Sequence, residues 1–189
     1  MSLQIITQPT AEPVTVDEVK KRLRLTTDTD DSMIGTQITA AREYAEKVTR
    51  RSLAVKGYAA FFDRFPVPGA PIRIPVPPLV SVTAIKYLDS SLEAQTWDAA
   101  EYFVASQQTP GLIVPKPGFV YPSPVLVPGA VEIDFTAGSG SDTPEHLKEG
   151  IRQLAVHLYE HPEAITSEGL REAPLALMSF FTANKVWVF

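Results

Sequence analysis

The sequence predicts an α+β protein: a small helical bundle, with two N-terminal and two C-terminal helices, interrupted by a central antiparallel β subdomain. Three observations support this fold class. Apolar residues recur at helical spacing through residues 12–52, they alternate with polar residues through residues 53–137, and the helical spacing returns from residue 143. Most of the prolines fall in the middle segment, where they bound short runs of β-branched and aromatic residues.

Two helices are expected before the β segment. The first should be capped by Thr15, because its hydroxyl and the Glu18 carboxylate have the spacing of a capping box. The second covers residues 31–51 and should pack on a helix predicted for residues 144–161. Its apolar stripe consists of Ile34, Ile38, Ala41, Ala45 and Val48.

Six short strands are predicted in the middle segment. Each is a run of alternating or continuous apolar residues that ends at glycine, proline or a polar cluster. Pro75, Pro77 and Pro78 lack the N–H group that a ladder needs, so we expect them at strand ends or sheet edges. The predicted strands are residues 58–65, 71–76, 80–89, 101–106, 111–115 and 130–138.

Helical patterns return near the C-terminus, in residues 143–161 and 174–181. Thr143 is expected to be the N-cap of the first of these helices, with Pro144 in its first turn and Pro162 just beyond its end. The organisation that follows is one domain over residues 1–189. It is divided into a helical core at 12–52 and 143–182, a β insertion at 53–137, and a C-terminal tail at 183–189.

Composition and charge exclude several classes of function. The net charge is −5, and residues 1–52 carry equal numbers of basic and acidic side chains, so a protein that grips nucleic acid through a basic face is not expected. The chain has no cysteine, which excludes disulfides, thiolate nucleophiles and cysteine-ligated metals. The sequence contains no signal-like or membrane-spanning run, so we expect a cytosolic setting and no membrane contact.

The stretch AVHLYEHPEA, residues 155–164, raises the question of a metal site. His157 and His161 lie four residues apart, which stacks two imidazoles on one helical face. The glutamate that follows the first histidine in the zinc-protease motif is missing, however, and His146 lies too far along the same helix to be a third ligand. Solvated histidines near a helix C-terminus are the better interpretation.

Other motifs do not complete a chemical site. The acidic run at residues 28–31 lacks the glycine and glutamate of a calcium loop, and the glycines at 138 and 140 lack a following lysine for a phosphate loop. No catalytic, cofactor-binding or metal-ligating residues are therefore predicted, and no cofactor is expected. The aromatic end of the chain is different, because aromatic residues dominate protein interfaces. We predict partner binding by Phe180, Phe181, Trp187 and Phe189.

Several stretches, taken in order, resemble phage head–tail connector (adaptor or head-completion) proteins. They are EPVTVDEVKKRLRL, DSMIGTQITAAREYAEKVTRRSL, DRFPVPGAPIRIPVPPLVSVTAIKYLD and FTAGSGSDTPEHLKEGIRQLAVHLYEHPEA, within about residues 4–165. The C-terminal segment PLALMSFFTANKVWVF departs from the family pattern, which tends to end in a leucine-rich helix and a Pro-Tyr-Arg-like sequence.

The resemblance implies a non-enzymatic component of the virion neck, or of a prophage remnant, assembled in the host bacterial cytoplasm. Such a protein would form a homo-oligomeric ring of about a dozen subunits under the portal, by head-to-tail contacts. The ring would extend the channel through which DNA passes, without sequence-specific binding, and would dock the next neck or tail-completion protein. Residues 180–189 would contact a neighbouring subunit or the portal protein.

Two other interpretations stay open from the sequence. One is a small metalloenzyme that depends on His157 and His161. The other is a proline-rich interaction module, in which IRIPVPP would be an exposed polyproline ligand for a partner domain. The flanking alternation of apolar residues favours strands and loops over that ligand.

Overall fold

The computed structural model describes residues 1–161 and 180–186. Their fold is α+β with antiparallel sheets, which confirms the predicted fold class. Two compact units can be distinguished, one built from residues 1–9 and 55–138, and the other from residues 10–54 with the described part of the chain after residue 138. We call them the β unit and the helical unit. Among the described residues, none of the helices has the length and apolar character needed to cross a membrane.

The described part of the helical unit contains the α-helices α1 (Val16–Leu23), α2 (Asp31–Thr49) and α3 (Glu145–Glu160). The capping box at the start of α1 is confirmed, since Thr15 accepts from the backbone of Glu18 and the Glu18 carboxylate accepts from the backbone of Thr15. Residues 180–182 are also helical, while the rest of the helix predicted for 174–181 lies outside the described residues.

Thr143 does not cap α3 as predicted. Its hydroxyl lies 3.1 Å from the carbonyl oxygen of Leu53 and 2.7 Å from that of Gly140, and the N-cap position is Pro144. The carbonyl of Leu53 also accepts from the backbone N–H of Gly140, at 2.8 Å. Thr143 therefore joins the two chain segments of the helical unit instead of capping α3.

The core of the helical unit lies between the long helices. Ile34 and Ile38 of α2 and Ile151 and Leu154 of α3 are fully buried, and α2 packs on α3 as expected. Phe181 completes this core, with its ring edge-on to Tyr44. Burial of these apolar faces is the main stabilising contribution, at about 25 cal/mol for each Å² removed from water.

Eight strands form two antiparallel sheets in the β unit. The larger sheet has the order β1-β2-β8-β4-β5 and the smaller one the order β3-β7-β6. The strands are β1 (Ser2–Thr7), β2 (Lys56–Phe62), β3 (Ile72–Arg73), β4 (Leu79–Leu88), β5 (Ala94–Thr96), β6 (Tyr102–Ala105), β7 (Leu112–Pro115) and β8 (Val131–Ala137). All six predicted segments contain a strand, and β1 and β5 were not predicted.

Strand β8 organises the larger sheet. It pairs with β2 on one side and β4 on the other, and its residues alternate between buried and half-buried. Ile133 and Phe135 point into a core that also contains Tyr58, stacked on Phe135 at 5.4 Å between ring centroids. This strand is the one that the period-two pattern of the sequence indicates most clearly.

Two helical glycines allow a test of the packing between α3 and residues 180–186. A Cβ atom on Gly150 would lie 2.9 Å from the ring of the buried Phe181, whereas one on Gly35 in α2 would meet nothing within 4 Å. We expect Gly150→Ala to lower the free energy of unfolding by about 1–3 kcal/mol, because the ring has no room to move. Gly35→Ala should raise it by about 0.5–1 kcal/mol through helix propensity. Urea denaturation of both variants is the measurement, and equal effects of the two substitutions would contradict this packing.

Candidate interaction surfaces

The four aromatic residues predicted to bind a partner do not share one environment. Phe181 is fully buried in the helical core, and Phe180 is half-buried. Trp187 and Phe189 lie outside the described residues. Just before them, Val186 donates its backbone N–H to the carbonyl of Thr49 at 2.9 Å. Residues 180–186 thus belong to the helical unit, and partner binding by this segment stays a prediction.

The two histidines at the end of α3, His157 and His161, lie side by side with their rings tilted by 30°. Their ring centroids are 4.7 Å apart, and His161 lies exposed at the C-cap position. Within residues 1–161 and 180–186, no group of three or more histidine or carboxylate side chains is arranged to hold a metal ion. The neighbouring Tyr159 donates its hydroxyl to Asp30 at 2.8 Å, which connects this helical turn to the start of α2.

The acidic run at residues 28–31 forms ion pairs with a lysine of α1. Lys20 Nζ lies 2.5 Å from a carboxylate oxygen of Asp28 and 2.8 Å from one of Asp31. Hydrogen bonds with these two carboxylates raise the pKa of Lys20 well above its ordinary value. The carboxylates therefore serve to fasten α1 to the start of α2.

Arg152 and Arg22 of the helical unit are paired with carboxylates in the same way. Arg152 interacts with Glu145, with Glu149 at 2.8 Å and with Glu18 at 3.5 Å, and Arg22 interacts with Glu149 at 2.6 Å. Burial works to raise the pKa of Glu149, but hydrogen bonds from Gln153 and Arg22 outweigh it and the pKa is lowered. These cations are already neutralised within the chain and do not form a free basic stripe.

The proline-rich stretch IRIPVPP is part of the β unit's core. Ile72 begins β3, and Ile72, Ile74 and Leu79 are almost completely buried. An exposed, mobile polyproline ligand is therefore the wrong interpretation of this stretch. Burial of the alternating isoleucine side chains against the sheet is favourable, because it removes apolar surface from water.

An open cleft of about 400 Å³ lies at one end of the β unit. Its lining is largely apolar and comes from the end of β2, the loop that follows, the region of β3 and the start of β8. Arg64 and Arg73 are the charged residues of this lining, and both are exposed. Neither side chain forms an ion pair or hydrogen bond with the part of the chain that the structure describes. We call this feature the arginine cleft.

The turn between β4 and β5, residues 89–93, presents an apolar side chain between acids. Leu92 is 61% exposed and has a φ of 63°, a conformation that costs a non-glycine residue energy. Asp89 holds the turn, because its carboxylate accepts from the backbone of Ser91 at 2.8 Å, from that of Glu93 at 3.1 Å and from the Gln95 side chain at 2.8 Å. We call residues 89–93 the hairpin tip.

Strand β1 is a third exposed surface. All six of its residues are exposed although Leu3, Ile5 and Ile6 are apolar, and it forms one edge of the larger sheet. Edge strands are usually protected by charges or prolines, and β1 has neither.

Sequence reasoning missed the arginine cleft and the hairpin tip for different reasons. The cleft combines residues near 62–75 with residues near 131–133, a proximity that no local pattern encodes. The tip did carry a local signal, since an apolar residue between acids in a polar turn is unusual.

Comparison with known proteins gives one family match and several structural matches. Residues 13–109 match the family of phage gp6-like head–tail connector proteins. A chain in the neck of an empty gene transfer agent (GTA) particle, computed with C6 symmetry, is 25% identical, with a TM-score of 0.79 over 100% of this chain and 98% of that one. No curated protein matches the chain.

Two further structures have the same fold. They are chains of the virion of a native GTA particle and of the neck of a native GTA particle computed with C12 symmetry. Each is 24% identical, with a TM-score of 0.74 over 100% of this chain and 98% of that chain.

We expect the hairpin tip to be better ordered when the Asp89 carboxyl is ionised than when it is protonated. Hydrogen bonds from Gln95, Ser91 and Glu93 hold the pKa of the Asp89 carboxyl below its ordinary value, so its contribution is present at neutral pH and lost as the pH falls through that lowered pKa. Asp89→Ala should speed amide hydrogen exchange at Ser91 and Glu93 several-fold at neutral pH, as measured by NMR. Ser90→Ala is the matched control in the same turn and should leave both rates unchanged; equal effects would contradict the role of Asp89.

Proposed function

The chain belongs to the phage gp6-like head–tail connector family, and from this premise we propose that it is a structural subunit of a particle neck and not an enzyme. The observation that supports this proposal most strongly is the match of 100% of this chain to 98% of a neck chain, with 25% identity and a TM-score of 0.79. Both the helical unit and the β unit take part in that match, so it supports a role for the whole chain.

We propose that the subunits assemble as a ring of about a dozen copies under the portal. Its neighbours would be the portal protein on the head side and a neck or tail-completion protein on the other. The support is that similar chains occur in necks computed with C6 and C12 symmetry. The location would be the neck of the finished particle, reached from the cytoplasm of the bacterial host.

DNA would pass through the ring without being held. Tight binding requires many free lysine and arginine contacts to phosphate. This chain has a net charge of −5, and cations such as Lys20, Arg22 and Arg152 are paired with carboxylates. A low affinity of the ring for the phosphate backbone of DNA suits a channel through which DNA must slide in both directions.

Removal of the gene from a particle-producing strain tests the neck role. We expect DNA-filled heads without tails, because the surface for the next neck protein would be missing, and we expect plasmid-borne protein to restore complete particles. Electron microscopy of the purified particles is the measurement. Tailed, infectious particles from the deletion strain would overturn the proposed function.

The predicted tail contact has its own test. A chain lacking residues 187–189 keeps the hydrogen bond between Val186 and Thr49, so its helical unit should stay folded. We expect it to bind purified DNA-filled heads from the deletion strain at least about tenfold more weakly, because interface anchors are lost. Val120→Ser, which removes an exposed apolar side chain elsewhere, is the control and should bind normally. Normal binding by the shortened chain would remove the tail from the interface.

A further inference from the structure

We propose that neighbouring copies of this chain dock through the hairpin tip of one and the arginine cleft of the next. Leu92 of the tip fills the apolar cleft, and Glu93 lies beside Arg64 and Arg73. The proposal rests on the proposed ring and specifies one of its contacts. It concerns only the β unit, in which both surfaces lie.

The hairpin tip is built as a rigid projection. Its backbone closes through a hydrogen bond from Leu92 N–H to the carbonyl of Asp89 at 3.0 Å, and the Asp89 carboxylate holds two further N–H groups. This fixed turn keeps Leu92 at a positive φ and 61% exposed, an arrangement with two costs and no benefit inside the subunit. Residues held in such strained backbone conformations cluster at ligand clamps and other functional sites.

The arginine cleft has complementary chemistry. Its apolar surface includes Phe62, Ile72 and Val131, and its volume of about 400 Å³ lies within the range of sites that enclose a ligand group. The side chains of its two arginines have no partner in the part of the chain that the structure describes, whereas Arg22, Arg42 and Arg152 are paired with carboxylates. An occupant with one apolar side chain and an adjacent carboxylate satisfies both features.

The carboxylate of Glu93 is suited to this role. It is exposed and forms no ion pair with the described residues, whereas the neighbouring Asp89 carboxylate is used within the turn. The tip therefore offers one apolar side chain and one available acid on consecutive residues. This charge complementarity selects a second copy of the chain as the occupant.

Sheet topology places the two surfaces where a head-to-tail contact needs them. Val131 at the start of β8 pairs with Phe62 at the end of β2 and with Tyr87 near the end of β4. The cleft and the tip are thus at the same end of the sheet, the cleft toward the β1 edge and the tip beyond β4 at the β5 edge. A row of subunits related by rotation can repeat such a contact, because each subunit has one of each surface.

Disulfide trapping tests the contact, since the chain has no cysteine of its own. Ser91→Cys is combined with Pro71→Cys in one full-length protein and with Pro75→Cys in another, so that Leu92 is kept and two cleft positions are sampled. A disulfide forms only when the two Cα atoms approach within about 7 Å. Under mild oxidation we expect a ladder of linked chains that extends beyond the dimer, while each single-cysteine protein yields dimers at most.

Charge reversal then tests the chemistry of the contact. In the double-cysteine background, Glu93→Arg should slow cross-linking at least about tenfold, because like charges repel. Adding Arg64→Glu and Arg73→Glu to Glu93→Arg should restore the rate. Glu160→Arg, the same change of charge on the exposed end of α3, is the matched control and should leave the rate unchanged.

The outcomes separate this contact from the neck function. Three results would each overturn the docking proposal. The first is that neither double-cysteine protein gives more cross-linked product than the single-cysteine controls. The second is a product that stops at the dimer, and the third is a cross-linking rate that Glu93→Arg does not change. None of these results would change the outcome of the gene deletion. Tailed particles from the deletion strain would overturn the neck function, even where a cross-linked ladder forms.

Discussion

The structure depends on a cluster of hydrogen bonds that closes the helical unit where the β segment leaves and re-enters it. Arg42 is almost completely buried in α2 and lies 2.7 Å from carboxylate oxygens of both Glu12 and Glu46. The other oxygen of Glu46 accepts from the backbone N–H groups of Leu53, at 2.8 Å, and Ala54, at 3.2 Å. Removing one partner of such a buried ion pair typically costs about 3–5 kcal/mol, because the remaining charge is left without compensation.

The same cluster fixes the return of the chain. Leu53 accepts from the backbone of Gly140 and from the Thr143 hydroxyl, and Ser52 accepts from the backbone of Ser139 at 3.1 Å. These hydrogen bonds bring the two ends of the long insertion together. The entropy cost of closing the insertion grows only slowly with its length. The β unit has a separate core around Ile85, Ile133 and Phe135, so its turns and edges can serve contacts without disturbing the helices.

What the sequence predicted and what it missed follow from the range of the interactions involved. The capping box at Thr15 and the strand at β8 were predictable because each is encoded within a few residues. Strand β5 has three exposed residues and no apolar period, so it has no local signal. Strand β1 has alternating apolar residues at Leu3 and Ile5, but it is exposed throughout and is stabilised by pairing with β2. Thr143 fits an N-cap by type, yet it bonds Leu53, ninety positions away. The cleft likewise depends on contacts between distant segments.

The proposed ring, which would assemble only at a neck, would require weak individual contacts. One leucine in a small cleft and an adjacent acid beside two arginines bury far less surface than a stable dimer does, so isolated subunits would remain separate. In the proposed assembly, a portal that holds several copies side by side would raise their effective concentration, and closure of the ring would then add a contact without a further loss of translational freedom. The pairing of Arg22, Arg42 and Arg152 inside the subunit fits this design, and Arg64 and Arg73, whose side chains form no ion pair with the described residues, are available to an acidic neighbour. Specificity would then reside in the β unit.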